Sequence, residues 1–205
     1  MFSDVLIEAL DQVDDIYFGN GRWTRAEYYD LNRYQAAQLT RFVTRHLERT
    51  FCYELYFQLR LRLPDPHNAE GLTLQAELAK SKIPDWLATR FELRALDAMY
   101  FPDFLYHRPF SGDRQVAVVE VKAKPDVGGT ALRKDLNKLG QFVDRYGYEQ
   151  AIMLAVNSNS ERVHRLIRNN RHRLQTDAQT EQIMVVTKES AQHETLCCTL
   201  ADLLT

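Results

Sequence analysis

The chain has 205 residues, 45% of them hydrophobic, and a formal charge of -2 from 26 Lys+Arg against 28 Asp+Glu. That length and apolar content suffice for one domain with its own core, and the near-balanced charge excludes a strongly basic coat protein for nucleic acid. It does not exclude a nuclease, because carboxylates gathered for a cation lower the sum while phosphate contacts need only a local basic surface. Cys52, Cys197 and Cys198 form no CxxC pair or Cys/His ladder, which excludes a disulfide framework and a zinc site and leaves oxygen ligands for any metal.

The opening MFSDVLIEALDQVDD reads as a helix; it has no basic n-region, and no later run approaches the roughly 18 apolar residues of a membrane span. A soluble cytoplasmic protein without a membrane partner is the expectation. Thr24 and Glu27 have the spacing of a capping box. A long helix is expected over 35–61, where Val43, Leu47, Phe51, Leu55 and Leu59 make one apolar stripe and Arg41, Arg45, Arg49 and Arg60 lie largely off it. PDPHNAEG (64–71) is a loop by composition. Leu72, Leu74, Ala76 and Leu78 alternate with polar residues as a half-buried strand does, and a short helix is expected over 84–98. YFPDFLYHR and RQVAVVEVKAK, joined by the turn-like 109–113, predict an antiparallel hairpin. A helix over 130–146 should stop at Gly147, followed by a buried strand at 151–156, a basic helix at 159–174 and a strand at 183–187. Nothing divides the chain, so one α/β domain over 1–205 is expected: a helical extension (1–37), a core (38–157) and a basic helix with a terminal strand (158–205).

Within VVEVKAK, strand geometry puts Glu120 and Lys122 on one face, roughly 6 to 7 Å apart, with Val119, Val121 and Ala123 on the other. A carboxylate and an ammonium on a central strand are costly to bury unless used or paired. Folding the hairpin brings Asp103 toward Glu120, so two hard oxygen ligands converge. Magnesium typically takes one or two carboxylates and keeps waters for a substrate phosphate.

Pro102-Asp103, sixteen residues, then Glu120-Val121-Lys122 resembles the PD-(D/E)XK nuclease core, over roughly residues 54–157. Other Pro-Asp pairs, at Pro64, Pro84 and Pro125, sit in loops or at a helix start; this one leads into a hairpin ending in Glu-x-Lys. The resemblance implies a restriction-endonuclease-like mixed central sheet flanked by helices, a magnesium site at Asp103 and Glu120 in which manganese substitutes, and Lys122 positioning the attacking water. It implies an acid on the preceding helix, assigned to Glu54, and hydrolysis of DNA leaving a 5′-phosphate. A homodimer or a partner protein would supply specificity. The alternative is a catalytically silent protein of the same fold that binds nucleic acid or acts as a scaffold.

Gln141 and Tyr146 are five apart, so the Gln-x-x-x-Tyr signature of some members is absent. Lys134, Asp135, Lys138 and Gln141 are expected off the apolar stripe of that helix, supporting Lys122 or, for Lys134 and Lys138, meeting phosphate. Arg162, Arg165 and Arg168 either grip a backbone or form a solvated face. Glu77 is open between extending the metal site and no role, and His107 is expected in the core or behind the site. Trp23, Tyr28, Tyr29 and Tyr34 read as packing more readily than as base-stacking groups.

Overall fold

The computed structural model describes residues 1–18, 31–67, 70–77, 89–90, 94, 96–109, 111–175 and 180–205; of these, the side chains of 33, 36–37 and 39–46 are not described. The Thr24–Glu27 box and Trp23, Tyr28 and Tyr29 lie outside this set.

Six strands form one mixed sheet in the order β1-β2-β3-β4-β5-β6: β1 (Thr73–Ala76), β2 (Phe104–His107), β3 (Gln115–Ala123), β4 (Gln150–Val156), β5 (Ile183–Lys188) and β6 (Leu196–Thr199). β1, β2 and β3 are antiparallel neighbours, β3, β4 and β5 run parallel, and β6 returns antiparallel on β5. The parallel pairs need crossovers, which are helices here. They are α3 (Gly129–Tyr146) and α4 (Ser160–Asn169); α1 (Phe2–Leu10) and the long α2 (Arg33–Arg62) precede the sheet, and α5 (Leu200–Leu204) closes the chain.

Local chemistry fixes the ends of these helices. Asn32 accepts hydrogen bonds from the Tyr34 and Gln35 amides while the Gln35 side chain reaches back to the Asn32 amide, which starts α2 at Arg33, two residues before the expected position 35. Leu63 ends it with an extended ψ of 143°, as a residue before proline must. Gly147 caps α3 in the left-handed region at φ 66°. The expected helix over 84–98 is described only at Thr89–Arg90 and does not reach 96–99, which are not helical.

Alternation along the strands builds two cores. Phe104, Tyr106, Ala117, Val119, Val121, Ala123, Ile152 and Leu154 pack under α1 and the Phe51, Leu55, Leu59 stripe of α2. On the other face Leu105, Val118, Met153, Ala155 and Val185 pack under α3 and α4 through Leu132, Leu136, Leu139, Val163 and Ile167. β4 is therefore buried on both sides, as a central parallel strand is, and reads as a continuous apolar run. Among the described residues no helix is long and apolar enough to cross a membrane.

Candidate active site

β2 covers only part of β3. The register pairs Phe104 with Val119, and β3 then runs on to Ala123 without β2 beside it. Backbone donors on such an edge need partners. Two carboxylates supply them: Asp103 Oδ2 accepts from the Val121 N–H at 2.6 Å, and Glu48 Oε2, from α2, accepts from the Ala123 N–H at 3.4 Å. Carried one residue past the Phe104–Val119 pair, the same register sets Asp103 opposite Glu120, and opposed residues of antiparallel neighbours share a face.

Glu120 and Lys122 project toward α3, out of phase with Val119, Val121 and Ala123 in the opposite core. α3 answers them with one acid and one amine a turn apart. Lys138 Nζ lies 2.5 Å from Glu120 Oε1, Lys122 Nζ lies 3.1 Å from Asp135 Oδ2, and Lys138 reaches Asp135 Oδ1 at 3.8 Å. Lys122 also donates to the Val121 carbonyl at 3.1 Å. Glu120 is 2% exposed, and Asp135 is buried as well. The cluster thus holds four carboxylates (Glu48, Asp103, Glu120 and Asp135) against the ammoniums of Lys122 and Lys138. Among the described residues, formal acids therefore outnumber amines by four to two.

The titration of these groups follows from burial first and from their mutual charges second. Burial pushes Asp103 up to about 6, with the Val121 amide and the Lys122 charge opposing and Glu48 adding to the rise. Burial likewise pushes Glu120 up to about 8; Lys138 opposes this, while the Asp103 and Asp135 charges reinforce it. For Lys122, burial works to lower the pKa, but Asp135, Glu48, Glu120 and Asp103 together outweigh it and hold the amine protonated above its ordinary range. Burial, with Asp103 and Glu48, also raises the neighbouring Cys52 thiol, which makes it a poor nucleophile.

A divalent cation fits this chemistry. The donors are hard oxygens, acids outnumber amines among the described residues, and a dication would favour the ionised forms that burial disfavours in Asp103 and Glu120. Among the described residues no three His, Cys, Asp or Glu groups are gathered closely enough to hold a metal ion by themselves, so waters and substrate oxygens would complete the coordination, as is usual for magnesium.

Not every residue expected at the site is there. Glu54 accepts a 2.7 Å bond from Gln58 on its own helix, and the α2 acid at the β3 edge is Glu48. The spacing contains the signal: Glu48 precedes Phe51, Cys52 and Leu55 by three, four and seven residues and so shares the buried stripe, whereas Glu54 is adjacent to Leu55 and turns away from it. Lys138, expected to meet phosphate, instead pairs with Glu120, its side chain only 12% exposed. Lys134 is exposed. Asp135 was expected off the apolar stripe of α3 but is enclosed with Lys122, because the stripe is interrupted where α3 crosses the two charged residues of β3. Gln141 donates to the Tyr100 hydroxyl at 3.1 Å and accepts from the Asp97 amide, bracing the segment ahead of β2.

Glu77 sits half exposed, 3.8 Å from Arg49 Nε, at a left-handed φ of 48°. His107 is buried, 2.7 Å from the Gln75 side chain, with its ring tilted 38° to that of Tyr148. Arg162 lies 3.8 Å from Asp126, while Arg165 and Arg168 are exposed on the solvent side of α4, opposite Val163 and Ile167. Tyr34 is exposed. No protein-family model, curated protein or solved structure matches the chain.

Proposed function

We propose that this protein is a magnesium-dependent phosphodiesterase of restriction-endonuclease-like fold, with DNA as its substrate. The observation that carries the reading is the cluster at the uncovered end of β3, where Asp103, Glu120 and Lys122 lie together and where, among the described residues, acids outnumber amines. The element order supports it: a long helix, a three-strand antiparallel meander, a crossover helix and a parallel fourth strand follow one another as in the PD-(D/E)XK core that Pro102-Asp103 and Glu120-Val121-Lys122 resemble.

Asp103 and Glu120 would hold the ion, with manganese able to replace magnesium. Bound there, the ion would supply Lewis-acid polarisation of a phosphate oxygen and offset its charge. The Val121 N–H fixes one oxygen of Asp103, which leaves the other to point at ligand. Lys122 is held protonated by the surrounding acids, so it acts as a cation and hydrogen-bond donor and not as a general base. Its tasks are to orient the attacking water and to neutralise charge developing on the phosphate. Asp135 aims the Lys122 amine, and Glu48 fixes the far end of the β3 edge. Lys134, Arg165 and Arg168 are exposed cations available to the phosphate backbone, and specificity would come from a homodimer or a partner protein.

A second reading has an observation of its own. The Lys138–Glu120 contact supplies one site carboxylate with an internal partner, as in a catalytically silent protein that keeps the fold to bind nucleic acid or to serve as a scaffold. Incubating plasmid, linear and single-stranded DNA with the wild type, Asp103→Asn and Lys122→Met, with and without magnesium, separates the two. Cleavage by the wild type alone, and only with magnesium, supports the enzyme; cleavage by neither wild type nor variants, or equally by all three, overturns it.

A further inference from the structure

Lys138 has no place in the signature that points to this site, yet it makes the closest charged contact within it. Its ammonium stands 2.5 Å from Glu120 Oε1 and 3.8 Å from Asp135 Oδ1, and it is nearly enclosed. Its reach is along a flexible four-carbon stem from the middle of α3. Lys122, the lysine that the motif supplies, is engaged elsewhere, with Asp135 and the Val121 carbonyl. The two ammoniums therefore divide the cluster, and the one on the helix is the counter-charge of the proposed ion-holding carboxylate.

We propose that Lys138 is a removable internal counter-ion: its ammonium occupies the cation-binding side of Glu120 until a divalent ion displaces it, and the released side chain swings outward from α3 to the site mouth, where it meets substrate phosphate. The inference rests on the phosphodiesterase reading and deepens it by adding a residue that regulates loading of the same site. An ammonium and a divalent cation cannot share one carboxylate oxygen without strong repulsion, since like charges a few ångströms apart in a partly enclosed site are poorly screened. The stem leaves the ammonium free to move, whereas Glu120 is fixed in a central strand. The device protects an acid that would otherwise be buried uncompensated, and it favours occupancy when ion and phosphate arrive together, because the displaced amine then gains a new partner.

The test is manganese and magnesium binding to the whole chain by titration calorimetry, without nucleic acid, for the wild type, Lys138→Met and Lys138→Arg. Methionine keeps the stem and removes the charge. The expected result is tighter manganese binding by Lys138→Met, by about tenfold or more, with Lys138→Arg equal to or weaker than the wild type. A second measurement uses the unmodified protein: reductive methylation read by mass spectrometry should label Lys138 slowly without divalent ion and several-fold faster with manganese, while Lys134 labels alike in both. Unchanged or weaker binding by Lys138→Met, together with ion-independent labelling of Lys138, overturns the displacement and leaves the phosphodiesterase reading standing. No divalent-ion binding by any of the three proteins overturns both.

Discussion

The Asp103 carboxylate accepts a 2.6 Å hydrogen bond from the Val121 backbone amide and so takes the place of a strand partner at the point where β2 has ended. One side chain thereby completes the sheet edge and brings its charge to bear on Glu120 and Lys122. The two roles separate in Asp103→Asn, whose amide oxygen still accepts from Val121 but carries no charge. The expected outcome is a protein that melts within about 1 kcal/mol of the wild type or above it, since a reluctantly ionised buried acid has been removed, and that has lost magnesium-dependent cleavage by a factor of about 100 or more. Asp103→Ala removes both roles and should lie about 1 to 3 kcal/mol lower in stability than Asp103→Asn, the cost of an unpaired backbone donor. Thermal melts of both variants beside a cleavage assay check this.

Glu48 and Glu54 offer a test of which face of α2 serves the site. Glu48→Gln should lower cleavage by about tenfold or more, because its carboxylate bridges α2 to the Ala123 amide and its charge reaches both Asp103 and Lys122. Glu54→Gln should leave cleavage unchanged and shift stability by no more than about 0.5 kcal/mol, since its partner is Gln58 on the same helix. The reverse pattern in a cleavage assay would place the functional acid on the other side of the helix.

Much of this arrangement is legible from residue order. The alternation of Val119, Glu120, Val121, Lys122 and Ala123 gives the two faces of β3 without coordinates, because a strand has a period of two and only one parity is apolar. The αβββαβ order follows from similar periodicities. What is not legible depends on how far neighbouring elements overlap. Nothing local says that β2 stops at Phe104 and leaves Val121 and Ala123 in need of acceptors, so the reason for Glu48 is absent from its own surroundings. Asp135 and Lys138 are legible as residues off the apolar stripe of α3 that could support Lys122, and Asp135 does pair with it; that Lys138 turns to Glu120 depends on the crossover, which lays that turn over β3. Cys197 and Cys198 are legible only as part of a terminal helix or strand, and the choice of strand β6 is not, because Leu196–Thr199 is short and largely exposed and carries no clear alternation.

Lys122 and Asp135 form an enclosed ion pair whose loss is asymmetric. Among the described residues, Lys122→Met leaves Asp135 with the 3.8 Å contact to Lys138, and Asp135→Asn leaves Lys122 with Glu48, Glu120 and Asp103 still near it. The lysine variant is therefore expected to be the less stable of the two, by about 1 to 3 kcal/mol relative to wild type, and to lose cleavage by a factor of about 100 to 10,000. Asp135→Asn should keep measurable cleavage with a smaller loss, of about tenfold, because the amine remains charged but is aimed less well. Urea unfolding and single-turnover cleavage of both variants check the ranking. Equal losses would assign Asp135 the same direct part in the reaction as Lys122.

The cluster also sets how stability responds to pH. Asp103 and Glu120 have folded-state values of about 6 and about 8 against ordinary values of 3.8 and 4.5, so between those limits the folded protein binds more protons than the unfolded chain. A raised carboxyl contributes stability that is fully present below its ordinary value and is lost as pH rises through the folded value. Without divalent ions, stability should therefore fall from about pH 4 to about pH 8 by up to about 1.4 kcal/mol per pH unit for each proton fully linked to folding. Glu120→Gln removes the fall between pH 6 and 8 and makes the fall below pH 6 shallower, where the contribution of Asp103 remains. Magnesium should flatten it in the wild type as well, since a bound dication favours the ionised forms that burial disfavours. Urea unfolding free energies measured from pH 4 to 9 in chelator and again in millimolar magnesium decide the matter: superimposable profiles for wild type and Glu120→Gln would mean that Glu120 is ionised throughout, with Lys138 alone sufficient to balance it.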